Sequence, residues 1–362
     1  MINKHNLEQT ISHFESWWRC EDIGRPLMNI RAVRTPSREL FEVPAPTCAR
    51  DIHFNLDYLY PNCMNYFAQR DFLAESYPCM DINIGPGSVS VYLGSEPVFA
   101  WDTVWYEPCI DDINTYSELV YDENNPWWRT HFDVVRRAVE LSEGKFYVNI
   151  PDLIENIDII AAMRGPQQTC YDLIDYPEQM HKRIGEVDRT YFEYYDRIHE
   201  LVRLPHSCSY TAFNVLGRGR VAKVQCDFAA LMNPSQFREF IVPSLTKQCR
   251  SLDHSVFHLD GKDCIKHIDA LLSIEELQAV QWTAGAGQPD GGNEKWYGLY
   301  EKIRAAGKSM HVSIYDGNFE NQLETADKFI RKFGSQGVYF LFPDMTRGNA
   351  DYLMNHAERC WG

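Results

Sequence analysis

The sequence predicts an α/β protein of the (β/α)₈ barrel class with an N-terminal helical extension. Short apolar or β-branched segments alternate with amphipathic helices along most of the chain, which favours parallel strands joined by helical crossovers. The length of 362 residues suits one barrel domain. We expect a single domain over residues 1–362, in which residues 1–75 form the extension and the first strand.

The elements follow from the pattern of apolar residues. A helix carrying Phe14, Trp17 and Trp18 comes first, an apolar strand follows at 26–33, and residues 51–74 have helical periodicity. The remaining predicted strands are 79–84, 145–150, 206–211, 222–227, 255–259, 279–283, 309–315 and 337–342. The clearest helices are 128–142, 177–202, 234–252, 263–273, 294–306 and 318–333.

An open, doubly wound sheet is the alternative architecture. It predicts a glycine-rich phosphate-binding turn after an early strand. The glycines at 85–87, 217–219 and 285–287 lack the required spacing, and loop glycines explain them more simply. The barrel is therefore the leading prediction, with eight strands if 206–211 and 222–227 form one hairpin-like unit.

Composition and charge exclude several classes of partner. The formal net charge of −16 argues against nucleic acid and anionic membranes, because both need clustered cations. No apolar run is long enough to cross a membrane, and no signal peptide is visible at the first residues. The eleven cysteines include no Cys-x-x-Cys pair, which predicts reduced thiols and a cytoplasmic location.

The fifth predicted strand ends in the most informative candidate site. In a parallel barrel the functional residues lie at the carboxyl ends of the strands. His258 and Asp260 are two residues apart on an extended segment, so their side chains point the same way, and Gly261 permits a close turn. An imidazole and a carboxylate on one face can hold a metal or share a proton. The simpler alternative is a pair satisfied by backbone groups.

Other strand ends add candidates to the same mouth. Asp227 ends an apolar strand, where a carboxylate must be paired, functional or a cap of the next turn. Trp282 and Tyr315 end the next strands, and Trp105 lies in an aromatic segment that we expect to form a lid or loop over the mouth. Stacking on a flat ligand and ordinary packing are both open interpretations of these aromatic residues.

Several runs of the sequence resemble the uroporphyrinogen decarboxylase superfamily. Within it, they are most similar to the branch grouped with the corrinoid-dependent methyltransferases, over nearly the whole chain. The runs are 82–94, 158–165, 257–261, 266–272 and 279–287.

The resemblance implies two alternative activities, the first of which is decarboxylation. The decarboxylases remove acetate side chains from a tetrapyrrole, with arginines near the first strand and an aspartate after the second. Here Arg25 precedes the first strand and Arg31 lies within it, but the aspartate position corresponds to Gly85. The histidine expected after the last strand is also missing. Arg25 and Arg31 would clamp substrate carboxylates in this alternative.

The second implied activity is methyl transfer. The relatives use zinc to activate a thiol that accepts a methyl group from a corrinoid protein, with a His-x-Cys motif on the fifth strand. Here His258 matches the histidine, and Asp260 replaces the cysteine. A carboxylate is a harder but legitimate ligand, so a zinc site can persist with His258, Asp260 and Asp227. A metal-free acid–base pair is the alternative.

The sequence therefore predicts a methyltransferase that acts on a small substrate with a separate corrinoid protein. His258 and Asp260 would hold the metal, Asp227 would support them or act as a base, and Trp105, Trp282 and Tyr315 would shape the pocket. A lyase acting on a carboxylated substrate, and an accessory protein that binds a corrinoid or tetrapyrrole, are the alternatives. The superfamily implies a possible homodimer.

Overall fold

A computed structural model describes residues 2–35, 40–204, 208–210 and 213–362. The helices are α1 (Leu7–Trp18), α2 (Asp51–Phe54), α3 (Leu56–Ala68), α4 (Ser88–Tyr92), α5 (Pro126–Ser142), α6 (Asn156–Arg164), α7 (Pro166–Asp175), α8 (Pro177–Val202), α9 (Pro234–Gln236), α10 (Val242–Ser251), α11 (Ile268–Leu272), α12 (Tyr297–Ala305), α13 (Phe319–Phe333) and α14 (Arg347–Cys360). The strands are β1 (Leu27–Val33), β2 (Arg70–Ala74), β3 (Cys79–Met80), β4 (Glu96–Phe99), β5 (Val104–Glu107), β6 (Tyr147–Val148), β7 (Cys208–Tyr210), β8 (Val215–Gly217), β9 (Val221–Gln225), β10 (His254–Asp260), β11 (Ala279–Thr283), β12 (Ser309–Ser313), β13 (Val338–Leu341) and β14 (Met345–Thr346). Short 3₁₀ helices lie at Asp227–Leu231, Lys262–His267 and Glu294–Trp296, and a π-helical turn lies at Phe237–Ile241.

An eight-stranded sheet organises the molecule. Its order is β14-β1-β13-β12-β11-β10-β9, with β2 also paired to β1, and every pairing except β2 with β1 is parallel. The first strand thus lies beside β13 near the C-terminus, as expected when a series of strands curves back on itself. This mixed α/β architecture confirms the predicted class and is consistent with a barrel-like fold.

The ladders between the described residues do not form a closed barrel. Strands β3 and β6 pair only with each other, in parallel. Beside β9, side chains take the place of a neighbouring strand, because Glu155 accepts the N–H of Gln225 at 2.7 Å and Asn156 donates to its carbonyl at 2.9 Å. These contacts satisfy backbone groups that an edge strand otherwise leaves unpaired.

Helix α1 covers the amino ends of the strands. The indole N–H of Trp17 donates to the carbonyl of Gly337 just before β13, and that of Trp18 donates to Leu216 of β8. Trp18 also stacks on His254, the first residue of β10. The amino end of the sheet is therefore closed by apolar packing, which leaves the carboxyl end for a site.

Three predicted elements differ from the structure. Residues 51–74 are not one helical segment, because β2 follows α3 and pairs antiparallel with β1. The hairpin-like unit of 206–211 with 222–227 is wrong, since β7 pairs with β8 while β9 joins the main sheet; residues 205–207 and 211–212 lie outside the described ranges. Strands β3 and β6 are two residues long, far shorter than predicted.

Two predictions from composition can be compared with the structure. The ten cysteines whose side chains are described are all free thiols. Among the described helices, none combines the length and the apolar character that crossing a membrane requires. The cytoplasmic location and the single-domain boundary stay predictions.

Candidate functional site

Three side chains able to bind a metal or transfer a proton meet at the carboxyl ends of neighbouring parallel strands. Asp227 follows β9, and His258 and Asp260 belong to β10, which pairs with β9. One donor atom from each residue lies within 4.8 Å of the other two. His258 and Asp260 share a strand face because side chains alternate with a period of two. The structure thus brings together the trio that the sequence singles out.

The backbone turns sharply directly after Asp260. Gly261 has φ of 76°, a left-handed conformation that side-chain-bearing residues adopt only with strain, and its N–H donates to Thr283 of β11 at 2.9 Å. The turn ends β10 and leaves the Asp260 carboxyl half-buried at the rim of the site. The spacing His258, Asp260, Gly261 therefore sets both the direction and the depth of the two functional groups.

A glutamine on the adjacent strand orients His258. Residue Gln281 of β11 stands opposite His258 in the parallel register, and its Oε1 lies 2.5 Å from Nδ1. The Gln281 amide N–H₂ donates to Thr283 at 2.9 Å, so Oε1 is the atom that accepts from the imidazole. This arrangement leaves the Nε2 lone pair of His258 available. Burial, reinforced by Lys223, lowers the pKa of His258 and so favours the neutral ring.

A buried lysine forms the floor beneath the trio. Lys223 of β9 is almost fully buried, and its ammonium lies 2.6 Å from Asp152 and also donates to Gln225. The Gln225 amide in turn donates to Asp227 at 2.9 Å. The chain of contacts fixes the Asp227 carboxyl and places one positive charge among several acids. In water-poor surroundings such a charge acts strongly on its neighbours.

A second aspartate positions Asp227 through its backbone. The Asp158 carboxylate accepts the N–H groups of Asp227 and Phe228 at 2.8 and 2.9 Å, and so caps the 3₁₀ helix that begins at Asp227. Burial, followed by repulsion from Asp227, raises the pKa of Asp158 to about 7. Burial also raises the pKa of Asp227 and of Asp260. A concentration of acids with raised pKa values is typical of functional sites.

An open cleft of about 450 Å³ lies beside Asp227. The hairpin of β4 and β5 covers one side of it with Trp105 and Tyr106, and Phe228 and Leu231 cover the other. Its volume is in the range of small-molecule sites, and most of its lining is apolar. Trp105 is 67% exposed, so its indole is available to a ligand entering the cleft. The aromatic segment thus lies beside Asp227, and the roles predicted for it, a lid over the mouth and substrate binding by Trp105, stay predictions.

The prediction that Trp282 lines the site is wrong. Its indole is fully buried and packs edge-on against Trp296, with ring centroids 5.0 Å apart. Trp282 lies between Gln281 and Thr283 on β11, and these two point towards His258. Side chains alternate along a strand, so Trp282 necessarily points to the opposite face. Gln281 is the site residue that this strand supplies.

The prediction that Arg25 contacts the substrate is also wrong. Arg25 precedes β1 and therefore lies at the amino end of the sheet, away from the trio. Its guanidinium forms two hydrogen bonds of 2.8 and 3.0 Å with the buried carboxylate of Glu75. An arginine held in this way balances a structural charge and cannot reach a ligand at the strand ends.

Arg31 and Tyr315 lie at the rim, outside both the trio and the cleft beside Asp227. The Arg31 Nε lies 2.7 Å from Asp344, which also binds Arg70 at the same distance. Tyr315 is half-exposed. Burial raises the pKa of Tyr315, and the positive charge of Arg31 partly offsets that increase. A substrate role for either residue stays a prediction. The guanidinium of Arg31 is already paired with the carboxylate of Asp344.

The sequence interpretation missed Lys223 and Gln281. Both lie in strands whose other residues are mostly apolar. Lys223 is two positions from Gln225, and Gln281 is two positions from Thr283, so each has a polar neighbour on the same face of its strand. This period of two within an otherwise buried strand is the signal that could have identified them. It marks the strand face that points into the site.

The trio fits a metal ion by its donor chemistry. Two carboxylates and one imidazole match the three protein ligands of a catalytic zinc site, which leaves a further position for water or substrate. In a tetrahedral site with bonds of about 2.0–2.2 Å, the ligand atoms lie roughly 3.3–3.6 Å apart. Donor atoms within 4.8 Å of one another therefore need to move by up to about 1 Å to bind one ion.

Comparison with known proteins gives a structural match without a sequence match. No family model and no curated protein matches the chain. Among solved structures the chain is similar to a methyltransferase from Methanosarcina mazei, with a TM-score of 0.64 over 98% of this chain and 99% of that chain. The sequence identity is 12%, so this similarity shows a common fold and leaves the reaction open.

Proposed function

We propose that this chain is a methyltransferase that moves a methyl group between a small substrate and a corrinoid carried by a partner protein. The observation that carries the proposal is the meeting of Asp227, His258 and Asp260 at the strand ends beside a ligand-sized cleft. The fold similarity to a methyltransferase supports the class of reaction. The corrinoid rests on the resemblance of the sequence to the corrinoid-dependent branch of the uroporphyrinogen decarboxylase superfamily.

His258, Asp260 and Asp227 would hold a zinc ion in this proposal. When bound, zinc would act as a Lewis acid that stabilises negative charge on the substrate atom that accepts or releases the methyl group. The residues of the chain prepare the site for this task. Gln281 orients the imidazole, and Lys223 favours the neutral form of His258 and the ionised form of Asp227.

The cleft beside Asp227 is the proposed substrate entrance. Its aromatic and aliphatic walls would shield one side of the reacting groups from water, and Asp158 and Asp227 line it. Excluding water strengthens electrostatic contacts with the substrate. Three further predictions remain part of the proposal and are still to be tested. They are a single-domain (β/α)₈ barrel, a cytoplasmic location and a homodimer.

The lyase alternative has less support from the geometry. It relied on Arg25 and Arg31 as a clamp for substrate carboxylates. Arg25 is bound to Glu75 at the other end of the sheet, and Arg31 is paired with Asp344. No comparable pair of free cations lines the cleft beside Asp227 in the described part of the chain.

The direct test is a methyl-transfer assay. Zinc-loaded protein is incubated with methylcobalamin and a panel of small thiols, and loss of the methyl group is followed in the visible spectrum. We expect turnover in the wild type, loss of turnover with His258→Ala, and no change with Asp263→Asn, a nearby exposed carboxylate. Corrinoid binding without turnover would indicate the accessory protein, and release of CO₂ from a polycarboxylate would indicate the lyase.

A further inference from the structure

The tip of a hairpin contacts His258. Strands β7 and β8 form this hairpin by antiparallel pairing of Cys208–Tyr210 with Val215–Gly217. Phe213 and Asn214 lie at its tip, directly before β8. The phenyl ring of Phe213 lies beside the imidazole of His258, with ring centroids 4.8 Å apart and an angle of 39° between the planes. The hairpin therefore brings an aromatic side chain to a member of the trio from outside the main sheet.

The contact lies on the face of the main sheet that carries the site. His258 stands opposite Gln281 in the parallel register, and Gln281 stands opposite His311 of β12. His311 in turn stands opposite Tyr339 of β13. Side chains at matched positions of parallel strands point to the same face. The ring of Phe213 lies against those of both His258 and His311, so the hairpin tip is on that face.

Four buried side chains hold the tip through its backbone. The carbonyl oxygens of the consecutive residues 213–216 each accept a hydrogen bond from a side-chain ring. His311 Nε2 donates to the first at 2.7 Å, and the Tyr339 hydroxyl donates to the second at 2.8 Å. The Tyr77 hydroxyl donates to the third at 2.7 Å, and the Trp18 indole donates to the fourth at 2.9 Å. Each donor residue is at most 6% exposed, so these bonds are shielded from water.

The support of the tip is unusual for a connecting segment. Connections generally run over the surface, where water satisfies their backbone groups. Here the donors come from α1, from the segment before β3, and from β12 and β13, so parts of the chain that are far apart in sequence converge on one turn. The position of the tip is thus fixed, and with it the position of the Phe213 ring.

One hydrogen bond does not fix the His258 ring. The bond between Nδ1 and Gln281 holds one atom, and the imidazole can still rotate about a line through that atom. The ring of Phe213 limits this rotation because it occupies the space beside the imidazole. The two contacts together set the direction of Nε2, the nitrogen that is left to bind a metal with Asp227 and Asp260.

We propose that Phe213 is a positioning residue, whose ring holds the His258 imidazole in the orientation that binds the metal. The assignment rests on the proposed metal site of Asp227, His258 and Asp260, and adds to it a residue from the hairpin. Residues that support a metal ligand from behind typically change metal affinity by roughly 10–100-fold when they are replaced. Phe213 acts in the same way through contact between rings.

The test compares Phe213→Leu with the wild type in two measurements on the full chain. Leucine keeps an apolar side chain and removes the flat ring. The first measurement is NMR relaxation of metal-free protein isotopically labelled at histidine Cε1, with the His258 signal assigned by its loss in His258→Ala. We expect the order parameter of the His258 Cε1–H bond to fall in the variant. The second is zinc affinity in competition with a chromogenic chelator, which should fall by about tenfold or more.

Two matched controls separate positioning from general packing. His311→Leu removes the donor to the Phe213 carbonyl and should shift both measurements in the same direction, whereas His311→Gln retains a donor and should restore them. Phe240→Leu changes another phenylalanine that stacks on a histidine, His181, with centroids 4.4 Å apart. Phe240 belongs neither to the trio nor to the lining of the cleft beside Asp227, so both measurements should stay at their wild-type values.

The outcomes distinguish this proposal from that of the metal site. Thermal unfolding of each variant establishes that it is folded. If the wild type binds no zinc, the metal-site proposal fails, and the order of the His258 ring alone decides whether Phe213 holds it. The positioning role is overturned if Phe213→Leu leaves both the ring order and the zinc affinity unchanged, or if Phe240→Leu lowers them equally.

Discussion

Two groups of carboxylates lie at opposite ends of the sheet, and their surroundings differ. At the amino end, Glu75 accepts hydrogen bonds from Arg25, His13 and the backbone N–H of Met28, and these contacts overcome burial and lower its pKa to about 2. At the carboxyl end, burial raises the pKa of Asp227 and Asp260.

The two groups differ in their partners as well as in their burial, since Asp227 is exposed and Asp260 is half-buried. Glu75 is 1% exposed and fully paired with cations and donors. Asp158, Asp227 and Asp260 lie beside one another with Lys223 as the buried cation beneath them. A protein that only needed stability would not bring acids together in this way. The amino end thus stabilises the fold, and the carboxyl end holds the acids on which the proposed function rests.

The largest change in the free energy of unfolding is expected for a substitution at the amino end of the sheet. Glu75→Gln leaves Arg25 buried without its counter-ion, and breaking a buried ion pair costs about 3–5 kcal/mol. Urea denaturation should show a decrease of that size in the free energy of unfolding, whereas the exposed Asp263→Asn should change it by less than about 0.5 kcal/mol. A Glu75→Gln decrease below about 1 kcal/mol would contradict the structural role.

The second effect concerns pH and has opposite signs for two glutamates. The pKa of Glu155 is raised from 4.5 to about 8, so between these values the folded state retains a proton that the unfolded state has released. Stability therefore falls as pH rises, by about 1.4 kcal/mol per pH unit from this group. The pKa of Glu75 is lowered from 4.5 to about 2, so its stabilising contribution is lost as pH falls through that range.

Denaturation curves at several pH values separate the two contributions. Glu155→Gln should flatten the slope between about pH 5 and pH 8 and leave the slope below pH 4.5 in place. Glu75→Gln should do the reverse. Identical slopes in the wild type and both variants would show that neither carboxyl titrates as its surroundings indicate.

At the carboxyl end we expect a substitution to change the free energy of unfolding only slightly and to reduce activity strongly. Asp260→Asn removes one of several mutually repelling acids and retains the size of the side chain. The free energy of unfolding should stay constant or rise by up to about 1 kcal/mol, whereas methyl transfer should fall by about 100-fold or more. A variant that loses both stability and activity would place Asp260 with Glu75 among the structural acids.

The smallest effect on stability is expected for Trp105. Its indole is mostly exposed, so Trp105→Ala should change the free energy of unfolding by less than about 0.5 kcal/mol. If the indole contacts the substrate in the cleft, the substitution raises KM more than it lowers kcat. Unchanged kinetic constants would remove Trp105 from the proposed site.

The carboxyl end was more predictable from the sequence than the amino end. Strands β9, β10 and β11 follow from runs of apolar and β-branched residues, and the strand-end rule then places Asp227, His258 and Asp260 together. The sequence does not reveal that Arg25 and Glu75 pair, because their contact depends on β2, which read as part of a helix.

The misassigned Trp282 has a different physical cause. When both faces of a strand are buried, hydrophobicity does not indicate which face points inwards. The polar residues at alternate positions, Gln281 and Thr283, settle the direction only once their contacts with His258 are known. The two-residue strands β3 and β6 were overestimated because apolar residues continue beyond the few backbone pairs that form.

The central claim is that Asp227, His258 and Asp260 form a metal-binding functional site, and zinc binding tests it most directly. Metal-free protein is titrated with zinc in competition with a chromogenic chelator. We predict about one equivalent of tightly bound zinc for the wild type. His258→Ala and Asp260→Asn should lose it while remaining folded, and His199→Ala, at a half-buried position of α8 that is not part of the trio, should retain it. Binding of less than about 0.2 equivalents by the wild type, or unchanged binding by both site variants, would contradict the claim.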